Sequence, residues 1–160
     1  MQAEPQKEHH WLQKLVGEWT SEMDAAMVPD KPPEKFVGTE SVRSIGGIWT
    51  QGEGRGEIPG GGTATMVMTL GYDPARKKFV GTFIGSMMTH MWLYEGDLDA
   101  SDRVLTLNAE GPDFSTEGRT TKYKDVIEFK SDDHRTLSSH MLMQDGTWVG
   151  FMTAHYRRVK

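Results

Sequence analysis

Apolar side chains recur at every second position through most of this chain, and clusters of turn residues interrupt the pattern at short, regular intervals. Alternate residues of a strand face opposite ways, whereas a helix needs apolar spacings of three and four, so this period constrains the fold more than any other feature. Ten segments read as strands: residues 18–28, 36–45, 48–57, 63–72, 78–87, 90–98, 103–109, 122–130, 135–143 and 147–159. Between them, Asp73-Pro74 sets Pro at the second position of a turn and Asp145-Gly146 signals a tight hairpin. Ala100-Ser101-Asp102 and Ser131-Asp132-Asp133 supply short side chains that bond back to the backbone. Pro29-Asp30-Lys31-Pro32-Pro33 reads as a stiff connector between the first two strands. Only Trp11, Leu12, Leu15 and Val16 have helical spacing, and Gly17 follows where a helix commonly stops. Short sequential strands with almost no helix predict an all-β fold. A single antiparallel meander closed into a β-barrel of about ten strands, with a short N-terminal helix, buries one face and leaves no free edge. Residues 1–8 are expected to be a disordered tail, and residues 9–160 one barrel domain.

A barrel needs an interior, and here composition enters. Leu, Ile, Val and Phe together make only 30 of the 160 residues, whereas Met numbers 11, Trp 5 and Gly 18. Placed on strands, the excess separates into two roles. Eight glycines lie between Gly46 and Gly62, without the strand–loop–helix ending of a phosphate cradle, and suit a sheet that curls tightly. Met66, Met68 and Leu70 share one face of a strand, as do Phe79, Gly81, Phe83 and Gly85. Leu137, Ser139, Met141 and Met143 share another, and so do Trp148, Gly150, Met152 and Ala154. Flexible, polarizable Met side chains on one face build a wall that adapts to varied apolar ligands. Met66, Met68, Phe83, Trp92, Tyr94, Met141, Met143 and Met152 are therefore the candidate ligand-lining residues, with His90 as a polar contact. His90, Trp92 and Tyr94 alternate with Met91 and Leu93, so either set is free to face inward on pattern alone.

Both chain ends carry a resemblance. A Gly-x-Trp (Gly17-Glu18-Trp19) enters the first strand, and the last strand closes on Tyr156-Arg157-Arg158. This pairing resembles the calycins, the lipocalin and fatty-acid-binding-protein superfamily, where an Arg of the last strand packs across the Trp and closes one end of the barrel. The segments from Trp11 to Trp19, Gly71-Tyr72-Asp73-Pro74, Tyr94-Glu95-Gly96 and the closing Tyr156-Arg157-Arg158 resemble the bacterial DUF1579 family over nearly the whole chain. That family is uncharacterised, so the resemblance implies a lipocalin-like barrel and no reaction. Trp19 and Arg157 are the expected closure pair. Nitrobindin-like haem barrels, a related branch, take a proximal His from the wall near the C-terminus, and His155 is the residue that such an alternative would use.

Chemistry that the sequence makes improbable bounds the rest. A formal net charge of −5 argues against nucleic-acid and anionic-membrane partners. Cysteine is absent, which removes thiolate zinc sites and cysteine nucleophiles, and no His-rich metal spacing is present, so no metal or cofactor is expected. No Gly-x-Ser-x-Gly elbow occurs, and no catalytic residue is assigned. His9 and His10 are expected to be solvated, and Asp113, Glu117 and Arg119 to form a solvated or rim-lining loop. No run of residues is long and apolar enough for a membrane helix, and the chain is expected to be cytoplasmic. The resulting expectation is a binder of a small apolar molecule. An enzymatic or haem barrel and a homodimeric module with a filled lumen are the alternatives.

Overall fold

Gly17 turns the chain from helix to sheet at φ 139°, a backbone angle that side-chain-bearing residues rarely adopt. In the computed structural model, which describes residues 3–25, 34–58 and 60–159, everything before it is a short cap and everything after it is barrel. Helix α1 (Lys7–Gln13) is followed by β1 (Gly17–Ala25), β2 (Glu34–Ile45), β3 (Trp49–Glu57), β4 (Thr63–Asp73) and β5 (Lys78–Gly85). Then come β6 (Trp92–Leu98), β7 (Val104–Pro112), β8 (Thr120–Ser131), β9 (His134–Leu142) and β10 (Trp148–Arg158). Each strand pairs antiparallel with its sequence neighbour, and β10 pairs back onto β1, which closes the barrel. The predicted meander is therefore observed. The Pro29-Asp30-Lys31-Pro32-Pro33 connector and the far end of the first predicted strand lie outside the described residues. No described helix is long and apolar enough to cross a membrane.

The register fixes which parity faces inward. Trp19 lies opposite Glu40 and Arg158, Leu70 opposite Thr50 and Gly81, and Tyr123 opposite Ala109 and Met141. Close curling needs a bare position where strands approach. At Gly96 of β6, a Cβ would stand 1.9 Å from the Thr106 carbonyl oxygen of β7. Any side chain there forces the two strands apart.

One end of the barrel is packed solid. Trp11 and Leu12 of α1, with Leu15, drop onto Trp19, Leu70, Phe79, Leu105, Ile127 and Phe129, all buried. Trp11 meets Phe129 and Phe79 edge-on at 5.4 and 6.2 Å, and its indole N–H donates to the Asp102 carbonyl at 2.7 Å. Burying each such apolar side chain stabilises the fold by about 1.5–3 kcal/mol relative to exposure. The helix begins at Lys7, inside the segment expected to be a tail. His9 is buried, which corrects the expectation of a solvated residue. Its Nδ1 accepts from the Gln6 backbone N–H at 2.9 Å, so Nε2 carries the proton and donates to the Tyr72 carbonyl at 3.0 Å. A neutral imidazole thus ties the helix to β4.

The last strand corrects the closure pair. Arg157 pairs with Thr20 on the outer parity and is exposed. Arg158, opposite Trp19, places its guanidinium carbon 4.2 Å from the Trp19 ring centroid. It donates to the Val16 and Lys14 carbonyls at 2.7 and 2.8 Å, satisfying carbonyls left open where the helix ends. The face of Met152 and Ala154 continues to Tyr156 and Arg158, so Arg157 stands on the opposite parity; separately, a register shift between Gly150 and Met152 takes Trp148 and Gly150 off that face. Before the shift Val149 faces inward, opposite Met141; after it Met152, Ala154, Tyr156 and Arg158 do. Trp148 and Gly150, expected to share the face of Met152, stand on the outer parity, where Lys124 Nζ lies 4.4 Å from the Trp148 ring centroid.

Candidate functional site

Above the packed end, the same inward parity lines a lumen that the strands leave less filled. Met66 and Met68 of β4, Phe83 of β5, Met141 of β9 and Met152 of β10 all stand on it. Each is only half-buried, although the barrel wall stands behind it. Their accessible surface opens toward the lumen and its mouth. Trp92 and Tyr94 also face inward and are buried, while Met91 and Leu93 face out and are 53% and 64% exposed. That settles the ambiguity left by the β6 pattern. Met143 lies beyond β9, in the hairpin where its N–H donates to the Thr147 carbonyl at 2.8 Å. His90 precedes β6, at the open end. Its Nε2 lies 3.1 Å from the Glu110 carbonyl, and its ring meets Trp92 edge-on at 4.7 Å.

Glycine gives this lumen width as well as curvature. Gly38 of β2 and Gly52, Gly54 and Gly56 of β3 all occupy inward positions; Glu40 covers Gly52, and the wall beyond it carries no side chains of its own at the other three. A Cβ on Gly54 would meet nothing closer than 3.6 Å. At the mouth, Gly111 serves a different end. A Cβ there would sit 2.3 Å from Trp92 Cζ3 and 3.1 Å from His90 Nε2, so the glycine seats the Trp92 ring. Tyr123 braces that ring at 4.8 Å between centroids, and the Trp92 indole N–H donates to Met88 Sδ at 3.0 Å. Replacing Gly111 with Ala is expected to displace Trp92 and cost about 1–3 kcal/mol as an overpacked contact. A thermal melt and the Trp emission maximum check this, and an unchanged pair of values would refute it.

Between the Met-lined part and the packed end lies a polar tier. Asp125 of β8 stands between Tyr123 and Ile127 on the inward face. The Tyr94 hydroxyl donates to its Oδ2, and the Ser139 hydroxyl donates to Oδ1 at 2.7 Å. Burial raises the Asp125 pKa above the ordinary carboxylate value, while the two hydroxyl bonds and the nearby His140 pull it down. Below it, Arg135 of β9 forms an ion pair with Glu40 of β2 and is 3% exposed. Its guanidinium carbon lies 4.0 Å from the Tyr156 ring centroid and 4.5 Å from that of Trp19. A cavity of about 20 Å³ lies among Leu15, Thr50, Met68, Ile127 and this pair, room for a single water.

All four tyrosines hold their protons beyond the ordinary range. Burial is the first cause each time: it pushes Tyr123 up to about 12, and it raises Tyr94 together with the Asp125 charge. Tyr156, raised also by Glu40, and Tyr72, raised also by Glu8, follow the same direction. The folded chain therefore retains phenolic protons that the unfolded chain has released above about pH 10. Stability is expected to fall as pH rises from about 10 toward about 12. Tyrosinate absorbance should lag behind that of the urea-unfolded chain, and coincident titration curves would refute the placement.

Asp125, Ser139, Arg135, Glu40 and Tyr156 are the residues that sequence reasoning did not assign. A signal existed for two of them: Asp125 interrupts the apolar parity of Tyr123 and Ile127, and Ser139 that of Leu137 and Met141. His155 faces outward, opposite Glu22 and Thr136. Its Nδ1 lies 3.0 Å from His134 Nε2, and the two rings stack at 5.2 Å. Burial first, then the charges of Arg157 and His155, lowers the His134 pKa. A group bound in the lumen finds no axial nitrogen in His155, so the residue does not fit the haem role. Asp113 of the β7–β8 loop is also no solvated carboxylate: it is buried and accepts from the Ser115 N–H at 2.8 Å, which ties the loop together. Among the described residues, no group of three His, Cys, Asp or Glu side chains is placed to hold a metal.

Comparison with known proteins agrees with this geometry. The profile of a family described as a protein of unknown function, DUF1579, matches residues 4–158. No curated protein matches the chain. Among solved structures, it is similar to Rv2717c from M. tuberculosis, with a TM-score of 0.63 at 12% identity over 98% of this chain and 100% of that one. It is also similar to the S-type phycobiliprotein lyase CPES from Guillardia theta, with a TM-score of 0.60 at 15% identity over 98% and 99% of the two chains. A third similar structure, EF1p2_mFAP2b bound to DFHBI, has a TM-score of 0.50 at 13% identity over 94% and 98%. At these identities the likeness is one of fold.

Proposed function

The chain belongs to the DUF1579 family of proteins of unknown function, and from that starting point we propose that its barrel binds a small, largely apolar ligand in the open half of the lumen. One observation carries this reading. Met66, Met68, Phe83, Met141 and Met152 face inward, yet they remain half-buried, so the inner face of the wall keeps accessible apolar surface toward its mouth. Such surface is a standing hydrophobic driving force, about 25 cal/mol for each Å² that a ligand covers. The bare wall at Gly54 widens the site, and the Met thioethers adapt its shape. The similar barrel bound to DFHBI supports the idea that such a fold has room for a ligand.

N-phenyl-1-naphthylamine, an uncharged dye that brightens in apolar surroundings, tests the proposal. Saturable brightening is expected with the native protein. Gly54→Leu, which sends a side chain into the lumen from a position with space for its Cβ, is expected to weaken binding tenfold or more while the melting temperature stays close to native. Absence of saturable binding to the native protein would end the proposal.

A second reading, a homo-oligomeric module, has its own observation. Ile84, Met91 and Leu93 are exposed near one another in the β5–β6 region, beside an outer groove of about 440 Å³ between Trp49, Val80, Thr82 and Leu93. Sedimentation of the native protein against Leu93→Glu separates the two: a dimer dispersed by the charge favours the module, and a monomer in both removes it.

A further inference from the structure

The head group of the ligand is legible in the polar tier. An ionised carboxylate accepts at about four lone-pair positions, and Asp125 spends two of them on Tyr94 and Ser139. Both partners are themselves buried, at 6% exposure each, whereas Asp125 is half-buried on the inward face. Its inward parity turns the carboxylate toward the lumen, where, among the described residues, no further side chain donates to its remaining acceptor positions. The two hydroxyl bonds hold the carboxylate in place, so an incoming group meets an oriented acceptor.

The charge around that acceptor is one-sided. Arg135 is the cation of the tier, and its charge is balanced: its Nη2 bonds Glu40 and its planar face covers Trp19 and Tyr156, while its buried Nε has no hydrogen-bond partner. Arg158 is committed at the closed end to the Val16 and Lys14 carbonyls. Glu34, the first residue of β2, stands on the inward register at the open end and adds negative charge at the entrance. Among the described residues, no unpaired Lys or Arg faces the lumen. An anionic head driven down this shaft loses its water, gains no counter-charge and approaches Asp125. A head that donates a hydrogen bond loses as much water and gains the acceptor.

We infer that Asp125 is a head-group subsite for an amphiphile whose polar end is an uncharged or cationic hydrogen-bond donor, such as a hydroxyl or an ammonium, and that the lumen discriminates against carboxylate-headed chains. The assignment rests on the lumenal-binding reading above and adds orientation to it. The head sits between Tyr94 and Ser139, and the tail runs outward past Met66, Met68, Phe83 and Met141.

Calorimetric titration at neutral pH with decylamine, decanol and decanoate, equal in chain length and different at the head, tests it. The native protein is expected to bind the amine and the alcohol, with decanoate at least tenfold weaker than the amine. Asp125→Asn, which keeps the size and an acceptor oxygen but removes the charge, is expected to weaken the amine about tenfold, leave the alcohol near native and relieve the penalty on decanoate. Equal affinity of native protein for decanoate and decylamine overturns the head-group assignment and leaves lumenal binding standing. Binding of none of the three overturns both. A folded Asp125→Asn protein, judged by its melting curve, that keeps native amine affinity overturns the role of Asp125. Should that variant fail to fold, the native series alone decides.

Discussion

Replacing Arg135 with Met is expected to lower stability by about 3–5 kcal/mol, because it leaves Glu40 buried and unpaired inside the barrel. The side chains of the pair are 4% and 15% exposed, so water replaces little of what is lost. Gly52 lies against Glu40, and a Cβ there would come within 2.7 Å of Oε2, which limits any retreat of the carboxylate. The same change removes the guanidinium from the faces of Trp19 and Tyr156, each contact worth about 0.5–2 kcal/mol. Replacing both members, Arg135→Met with Glu40→Met, should recover most of the loss, since a buried pair exchanged for apolar groups is often near neutral. Urea unfolding of the two single variants and the double variant measures the coupling. Additive losses would show that the two side chains do not act as a pair.

The second large effect separates two adjacent arginines. Arg158→Ala is expected to cost about 2–3 kcal/mol, the scale of charge-assisted hydrogen bonds to the Val16 and Lys14 carbonyls plus the stack on Trp19. Arg157→Ala, on the exposed outer parity, is expected to fall within about 0.5 kcal/mol of native. Thermal melts of the two variants decide it directly. Equal melting temperatures would refute the closure assigned to Arg158, and the reverse order would restore Arg157.

The same pair shows where local pattern stops being enough. Placing Met152 inside already implies Arg158 inside, because the two share parity. Local pattern fails instead at Trp148 and Gly150, which the register shift between Gly150 and Met152 detaches from the inward set. A bulge arises from how two strands meet, so a single strand does not announce it. His9 carries a similar lesson. Its solvation was the natural expectation near a chain end, and only the long-range contact with Tyr72 makes it buried. His155 shares its parity with Thr153 and Arg157, and its outward placement emerges from the pairing with Glu22 and Thr136.

The candidate site divides along the same line. Met66, Met68, Phe83 and Met141 were legible as one-faced residues, since a strand's own geometry dictates that alternate side chains share a side. Asp125 was legible as an interruption of an apolar face, but its partners were not. Tyr94 is 31 positions away and Ser139 is 14. No local rule brings three such positions to one depth in a lumen.

Alternating patterning, turn residues and the scarcity of helical spacing were sufficient for an all-β meander, because period and turn chemistry are properties of consecutive residues. The Met and Gly excess likewise pointed to a curled sheet with an adaptable face. The closed barrel was expected and is observed, but the choice of Arg158 and the gathering of Asp125, Tyr94 and Ser139 above the Arg135–Glu40 pair were decided by tertiary structure alone. Register across a closed barrel is set by all ten strands together, and it is register that determines which distant side chains meet.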